Sequence, residues 1–202
     1  METVLFSLAL PILAYLLGSI PFGLLIVRRL AKADIRHIGS GNIGATNVKR
    51  ALGNKWAAAT LICDFFKGIP PVWVAVLQSP TNYQWLPAIT VLAAVCGHIY
   101  PVYFKFRPSG KGVATTLGSL IVISPWALMI CILIFLSTVF VARRVSVGSL
   151  AGTFILPPAI WFTTHDPALC AAAILIMALI LYRHGDNIHR LARGVEPTIA
   201  SR

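Results

Sequence analysis

The sequence predicts an all-α integral membrane protein with about seven transmembrane helices. Its 202 residues are 57% hydrophobic and only 11% charged, whereas soluble domains are about 25% charged and about half apolar. A soluble core could not hide so many apolar side chains, so the surplus is expected to face lipid. Helices satisfy their own backbone hydrogen bonds there. We expect one polytopic membrane domain over residues 1–202.

Seven apolar segments follow one another along the chain. They are residues 3–27, 56–77, 86–104, 113–123, 126–142, 145–163 and 167–182. The stretch 113–142 is too long for one span and carries Ser124-Pro125 near its middle. We therefore divide it into a short fourth helix and a full fifth one. A re-entrant pair in this stretch is the alternative, and it keeps the same sidedness.

The basic residues lie almost entirely on one side of this arrangement. With the N-terminus outside and the C-terminus inside, sixteen of the 17 lysines and arginines fall in inside segments, as the positive-inside rule requires. The exception, Lys67, lies within the second span. Three motif segments then belong to the cytoplasm: residues 36–55, 97–115 and 182–196.

The net charge of +11 favours the anionic inner leaflet and anionic substrates over nucleic acid. The carboxylates are scattered and show no ligand spacing, so we expect no metal and no other cofactor.

The first motif, residues 39–44 (G-S-G-N-I-G), is a glycine-rich turn that opens a predicted helix over 45–52. Glycines let backbone N–H groups approach a ligand, and a helix N-terminus favours an anion. Thr46, Asn47 and Arg50 share one face of this helix. An ordinary turn followed by an interfacial helix is the alternative.

The second motif combines residues 97–101 (G-H-I-Y-P) with a basic glycine turn at 105–112 that feeds another helix. Lys111 lies inside this turn, which suits a phosphate. A nucleotide is not expected, because a Walker A loop would need glycine at position 105 and serine or threonine at 112. His98 is either a site residue or a packed polar residue at the membrane edge.

The third motif continues the last span into residues 182–196. His184, Asn187 and Arg190 recur every third residue and are expected to share a face. A basic amphipathic tail on anionic headgroups is the alternative.

The second span carries two opposite charges, Asp64 and Lys67, at i and i+3. They should pair and face the bundle interior. A structural pair is the default interpretation, and a site role for Lys67 is the alternative.

Together the motifs resemble those of the bacterial glycerol-3-phosphate acyltransferases that use acyl phosphate, the PlsY family. The resemblance covers nearly the whole chain. It is carried by S-G-N-I-G-A-T-N-V-K-R at 40–50, G-H-I-Y-P-V-Y-F at 97–104, S-G-K-G-V-A-T at 109–115 and Y-R-H-G-D-N-I-H-R-L at 182–191, with Gly194 and Glu196 after it. The family usually has glycine where Ser109 stands behind Pro108. Lys111 and its flanking glycines remain, so we expect the site to survive this departure.

The resemblance implies transfer of a fatty acyl group from acyl phosphate to the sn-1 hydroxyl of glycerol 3-phosphate, giving lysophosphatidic acid and phosphate. It implies a bacterial inner-membrane enzyme with a cytoplasmic site. The implied partners are those two substrates and the lipid bilayer, without nucleotide or nucleic acid. The expected catalytic residues are Ser40, Arg50, Lys111, His184 and Asn187. The expected substrate-binding residues are Asn42, Gly44, Thr46, Asn47, His98, Ser109, Gly110, Gly112, Thr115, Arg183 and Arg190.

Other enzyme classes fit the residues less well. The chain has no Gly-x-Ser-x-Gly elbow, and none of its five histidines is followed by aspartate five positions later. A phosphotransferase that uses metal would need clustered aspartates. A small-anion transporter is the main alternative, although polar midplane residues and an inverted repeat are not evident apart from Asp64 and Lys67.

Overall fold

The computed structural model describes residues 2–79 and 85–199, with side chains from residue 8 onwards; Arg202 lies outside this part. The described residues form twelve α-helices and no β-strand. The helices are α1 Glu2–Gly18, α2 Phe22–Ala31, α3 Ala45–Leu52, α4 Asn54–Phe66, α5 Ile69–Gln78, α6 Trp85–Ile99, α7 Val113–Ile123, α8 Pro125–Ala142, α9 Val145–Phe154, α10 Leu156–Thr164, α11 Pro167–Arg183 and α12 Gly185–Ala192. They group into two compact units, unit 1 up to Ile123 and unit 2 from Ser124 onwards.

Five helical stretches of the described chain are long and apolar enough to cross a membrane. They are Leu8–Ala31, Asn54–Gln78, Trp85–Phe104, Pro125–Ala142 and Val145–Thr164. The bent pair α11 and α12 adds a sixth if it counts as one span, and α7 is a shorter apolar helix. All seven predicted segments are thus helical, and the all-α prediction is confirmed. The number of spans and the orientation stay predictions.

The predicted division of residues 113–142 is confirmed at Ser124. Its hydroxyl oxygen accepts a hydrogen bond of 3.2 Å from the Ala127 backbone N–H. It therefore caps α8, whose first residue, Pro125, has no N–H to leave unpaired.

Other predicted segments are interrupted where prolines follow. The stretch 56–77 breaks at Lys67 and Gly68, ahead of Pro70-Pro71, and 145–163 breaks at Ile155, ahead of Pro157-Pro158. A proline has no N–H for the helical ladder, so a new helix begins close to each pair.

Close helix packing in unit 1 depends on glycines. Between α1 and α6, a Cβ on Gly18 would overlap the carbonyl oxygen of Ala94, and one on Gly97 would overlap that of Tyr15. Small residues let helix backbones approach closely, which favours association within a membrane.

An apolar cluster packs next to the first motif and holds it in place. Its buried members come from α2, from the turn after it, from the loop before α3, and from α3 itself. They are Leu24, Val27, Ile35, Ile43 and Val48. Burial of these side chains holds the short amphipathic helix α3 beside α2, and so positions the loop at residues 39–44.

In unit 2, α8 packs on α9 and α10 packs on α11. The chain after α12 turns at Gly194, where φ is +73°. It then runs back to the junction of α8 and α9, where the Ile199 N–H donates to the Arg143 carbonyl at 2.9 Å.

Candidate active site

In unit 1, Asn47 organises the loop of the first motif. Its side-chain oxygen accepts from the Ser40 N–H at 3.1 Å. Its amide nitrogen donates to the carbonyls of Ile38 at 2.8 Å and Asn42 at 2.9 Å, and also to that of Ile35. The side chain is 1% exposed. Its buried amide supplies backbone groups of this loop with the hydrogen bonds that a helix or strand would otherwise provide. Both polar atoms of the Asn47 amide thus bond to the loop backbone, and the predicted contact of Asn47 with substrate stays a prediction.

Arg50 lies over the same loop. Its side chain passes beside Gly39, so close that a Cβ at that position would contact Arg50 and overlap the Asn47 amide. Gly39 and Gly41 have φ of +53° and +71°, a left-handed conformation that favours glycine. Ser40 and Arg50 are exposed, and each can reach a ligand from this loop.

The predicted helix over 45–52 is confirmed as α3, and Gly53 ends it with φ of +85°. Gly44 stands at its N-cap without a capping side chain. The first N–H groups of a helix have no partner within the helix. Here the Asn47 and Val48 N–H groups donate to the Gly44 carbonyl, and Thr46 beside them is exposed. Anion binding at this helix start stays a prediction.

The first and second motifs meet through their backbones. The Ile43 N–H donates to the Ser109 carbonyl at 3.0 Å, and the Ser109 N–H donates to the Ile99 carbonyl at 3.0 Å. Unit 1 thus brings the two glycine-rich turns together at the end of α6, which the sequence pattern had suggested without showing the contact.

The turn at residues 110–112 enters α7 at Val113, as the second motif predicts. His98 lies beneath it, with the Nε2 and Cδ2 atoms of its ring against Gly110. Lys111 is half-buried, and Gly112 has φ of +87°. A side chain at position 110 would collide with the imidazole, so this glycine is needed for contact with His98.

Two predicted charges below this turn form the expected pair. Lys67 Nζ lies 2.8 Å from Asp64 Oδ1, and both side chains are buried. Lys67 also donates to the Ile20 carbonyl at 2.9 Å, at the break between α1 and α2. Thr115, a predicted substrate-binding residue, is fully buried and donates its hydroxyl to the Asp64 carbonyl at 3.0 Å. Its predicted substrate contact stays a prediction.

In unit 2, the third motif bends at His184. The axes of α11 and α12 differ by 57° there, so His184 sits at the bend rather than on the face of a continuous helix. Its Nδ1 lies 2.8 Å from the Ile180 carbonyl. Since a carbonyl only accepts, Nδ1 carries the hydrogen. The side chain is 1% exposed.

Glu196 gathers the polar side chains of α12. Its carboxylate accepts from Asn187 Nδ2 at 2.7 Å and from Arg190 Nε at 2.7 Å. Its carbonyl accepts from Arg144 Nε at 3.1 Å. Burial raises the pKa of Glu196, but hydrogen-bond donors such as Asn187 and Arg190 outweigh burial, so the pKa lies below its ordinary value.

The sequence prediction did not include Glu196 or Arg144 among the site residues. The sequence signals at Glu196 were its place in the resemblance to the family, together with Gly194, and its position as a lone carboxylate in the basic residues 187–202. Arg144 lies 52 positions away in sequence, so no local pattern could have paired the two.

The matches to known proteins extend along most of the chain. A family model described as glycerol-3-phosphate acyltransferase matches residues 8–194. The chain belongs to the glycerol-3-phosphate acyltransferase family. Within it, the chain is 43% identical to a glycerol-3-phosphate acyltransferase of Syntrophotalea carbinolica, over 91% of this chain and 92% of that protein. It is also 43% identical to one of Aquifex aeolicus, over 94% and 97%.

Two solved structures of PlsY, an integral membrane glycerol 3-phosphate acyltransferase, share this acyltransferase fold. The glycerol 3-phosphate form is 42% identical, with a TM-score of 0.90 and coverage of 96% of both chains. The lysophosphatidic acid form is 40% identical, with a TM-score of 0.87 and the same coverage. The predicted all-α integral membrane fold is thereby confirmed.

This acyltransferase accommodates serine at position 109, where the resemblance of the second motif led us to expect glycine. The Ser109 backbone makes both of its hydrogen bonds, to Ile43 and Ile99. The side chain is 6% exposed, and its hydroxyl has no hydrogen-bond partner among the described residues. The entry to the turn at Gly110 is therefore held by backbone pairing, which does not require glycine at position 109.

Proposed function

We propose that this chain transfers a fatty acyl group from acyl phosphate to the sn-1 hydroxyl of glycerol 3-phosphate. The products are lysophosphatidic acid and phosphate. The observation that carries the proposal is the junction of two glycine-rich turns in unit 1, joined between Ile43 and Ser109 and carrying Arg50 and Lys111. This anion-binding chemistry occurs in a family named for acyl transfer to glycerol 3-phosphate.

The proposed reaction is a direct displacement without an acyl-enzyme. The hydroxyl oxygen of glycerol 3-phosphate forms a bond to the acyl carbonyl carbon, and the bond from that carbon to the phosphate oxygen breaks. The hydroxyl proton goes to the departing phosphate, to His98 or to His184. An acyl phosphate already has a good leaving group, so the enzyme has mainly to position the substrates and stabilise negative charge.

In unit 1, Arg50 and Lys111 are proposed to bind phosphate oxygens. Arginine presents a planar fork and lysine a compact charge. Ser40, Asn42 and the backbone of residues 110–112 donate hydrogen bonds. The remaining proposed substrate-binding residues of this unit are Gly44, Thr46, Asn47, His98, Ser109 and Thr115.

In unit 2, His184 and Asn187 are proposed to orient glycerol 3-phosphate, while Arg183 and Arg190 add positive potential. The Glu196 carboxylate supports this assignment for Asn187, because it accepts a hydrogen bond from the amide N–H at 2.7 Å and so fixes the orientation of that side chain.

The proposed location is the bacterial inner membrane, as one polytopic domain with the reaction on the cytoplasmic side. The one-sided distribution of lysine and arginine supports this orientation.

Purified protein in detergent, given acyl phosphate and glycerol 3-phosphate without metal or nucleotide, tests the function. We expect lysophosphatidic acid by mass spectrometry, with the acyl group on the sn-1 oxygen. A second arm replaces acyl phosphate with acyl-coenzyme A and should give no product. Monodisperse protein that makes no product, or that uses only the thioester, would contradict the proposal. Uptake of labelled glycerol 3-phosphate into proteoliposomes without acylation would favour the transporter instead.

A further inference from the structure

His98 is held between two partners in unit 1. On one side, its Nδ1 lies 3.6 Å from Asp64 Oδ1. On the other, its Nε2 edge lies against the backbone of Gly110, leaving no room for a Cβ. The imidazole is 4% exposed. It therefore lies buried between the Asp64–Lys67 pair on one side and the turn that contains Lys111 on the other.

The charged pair suits this location because it carries no net charge. Lys67 Nζ lies 2.8 Å from Asp64 Oδ1, and its second bond, to the Ile20 carbonyl, fixes it at the break in the first span. A lone carboxylate beneath a phosphate-binding turn would repel the substrate, and a lone buried charge is strongly disfavoured. With Lys67 beside it, the carboxylate can accept from His98 without either cost.

Asp64 also anchors the far end of the same turn. Its backbone carbonyl accepts the Thr115 hydroxyl at 3.0 Å, and Thr115 lies in the first turn of α7. One residue of α4 therefore faces His98 with its side chain and holds the start of α7 with its backbone. The two contacts lie on either side of residues 110–112.

We propose that Asp64 is a positioning residue for acyl transfer, acting through His98 on the Gly110-Lys111-Gly112 turn. This inference rests on the proposed function. The carboxylate accepts the Nδ1 hydrogen of His98 and fixes the plane of the ring. The ring then supports Gly110 from below, so that the backbone N–H groups and Lys111 stay in the geometry that the reacting phosphate needs.

A purely structural role for the Asp64–Lys67 ion pair would not account for the position of the His98 imidazole beside Asp64. Among the described residues, His98 Nδ1 has no hydrogen-bond partner within 3.5 Å. The one ion-pair contact that these residues give it is with Asp64. A buried imidazole nitrogen needs such a partner, because burial removes the water that would otherwise satisfy it.

A double-mutant cycle of Asp64→Asn and His98→Gln tests the proposal, with kcat and KM measured for both substrates. We expect Asp64→Asn alone to lower kcat about 10-fold or more, as losses of positioning partners do, with KM for glycerol 3-phosphate little changed. In the His98→Gln background the same change should cost less than about twofold, because residues that act through one another are not additive. Equal losses in both backgrounds, or no loss in either, would overturn the inference.

Two control variants separate positioning from a general loss of buried polarity. Thr60 in α4 and Thr90 in α6 are fully buried, and each donates its hydroxyl to its own helix, to the Trp56 and Leu86 carbonyls. Thr60→Val and Thr90→Val therefore remove a buried hydroxyl from the same two helices without touching His98. Both should keep kcat. A loss as large as that of Asp64→Asn would point to fold maintenance and overturn the assignment.

A spectroscopic measurement on the wild-type protein tests the contact between His98 and Asp64 even if the Asp64→Asn variant fails to fold. In protein labelled with ¹⁵N-histidine, the His98 signal is the one missing from His98→Gln. We expect Nδ1 to carry a proton. An unprotonated Nδ1 would overturn the inference. Wild-type protein that forms no lysophosphatidic acid would instead refute the proposed function itself, so the two failures are distinguishable.

Discussion

At the residue scale, two kinds of predicted site residue can be distinguished in unit 1, exposed ones on the first motif and buried ones that bond to the backbone. Ser40, Thr46 and Arg50 are exposed on the first motif. Asn47 and Thr115 are buried, and their polar atoms bond to the backbone of the protein itself. Substituting the first group tests ligand binding, whereas substituting the second first tests the shape of the loops. The two buried residues are therefore poor choices for identifying ligand contacts.

Arg50 and Lys111 should be needed for the rate but not for the fold. Arg50→Ala and Lys111→Ala should each lower kcat/KM by roughly 100-fold or more, as does loss of a group that stabilises transition-state charge. Arg50→Lys should fail almost as badly, because an ammonium cannot offer a planar fork to two oxygens. The measurement is lysophosphatidic acid formation by monodisperse protein in detergent.

Lys49→Ala is the matched control for Arg50, since it is an exposed cation on the same short helix. It should leave the rate nearly unchanged. If both alanine variants at positions 50 and 111 kept near-normal rates, these residues would be topology signals rather than phosphate ligands.

Glu196 should stabilise the protein in a pH-dependent way. Its folded-state pKa is lowered, so its contribution is present above the ordinary glutamate value of about 4.3. The contribution is lost as pH falls through the folded-state pKa. We expect Glu196→Gln to lower the thermal midpoint at pH 7, with a difference from wild type that shrinks near pH 4. Asp186→Asn, which changes an exposed acid of α12, should show no such shift. Equal destabilisation at both pH values would contradict the assignment.

At the element scale, breaks and close contacts of helices place the loops. In unit 1, the prolines and glycines that interrupt the spans leave carbonyl groups without helical partners. The Lys67 ammonium donates a hydrogen bond to one of these carbonyls, that of Ile20. Where glycines face a neighbouring helix, as Gly18 and Gly97 do, the helix backbones meet directly.

The contact of α4 with α7 gives a stability prediction. A Cβ on Gly118 would overlap the Phe65 carbonyl oxygen, so Gly118→Ala must push the two helices apart. Overpacking of this kind costs about 1–3 kcal/mol, and the thermal midpoint in detergent should fall. Gly185→Ala is the control, because its Cβ would meet nothing within 4 Å. An unchanged midpoint for Gly118→Ala would contradict a close backbone contact between Gly118 and Phe65.

At the scale of the whole molecule, the chain carries its apolar residues on helix surfaces as well as inside. Leu77 in α5, Phe140 in α8 and Phe162 in α10 are each more than 70% exposed. In water such side chains would be unfavourable, whereas lipid accepts them.

Orientation is tested by labelling single cysteines from either side of the membrane, after replacing the four native ones. We expect Arg107→Cys and Arg193→Cys to react only from the cytoplasmic side, and His165→Cys only from outside, because lysine and arginine are retained in the cytoplasm. All three positions are exposed. Labelling at 107 or 193 from outside would refute the predicted topology.

The reaction should not depend on a metal. Saturating chelator is expected to leave lysophosphatidic acid formation nearly unchanged, because basic side chains and backbone N–H groups carry the charge stabilisation. Loss of activity that magnesium restores would contradict this expectation.

Sequence alone determined the membrane class, the positions of the apolar segments and the three motifs, because hydropathy, proline and glycine act through neighbouring residues. Even the pairing of Asp64 with Lys67 follows from helical spacing. Only the tertiary structure decided that Asp64 also faces His98, that Asn47 holds the first loop, and that Glu196 gathers α12. These contacts join buried polar groups whose partners are chosen by the need to satisfy them after distant segments pack, and no local pattern records that choice.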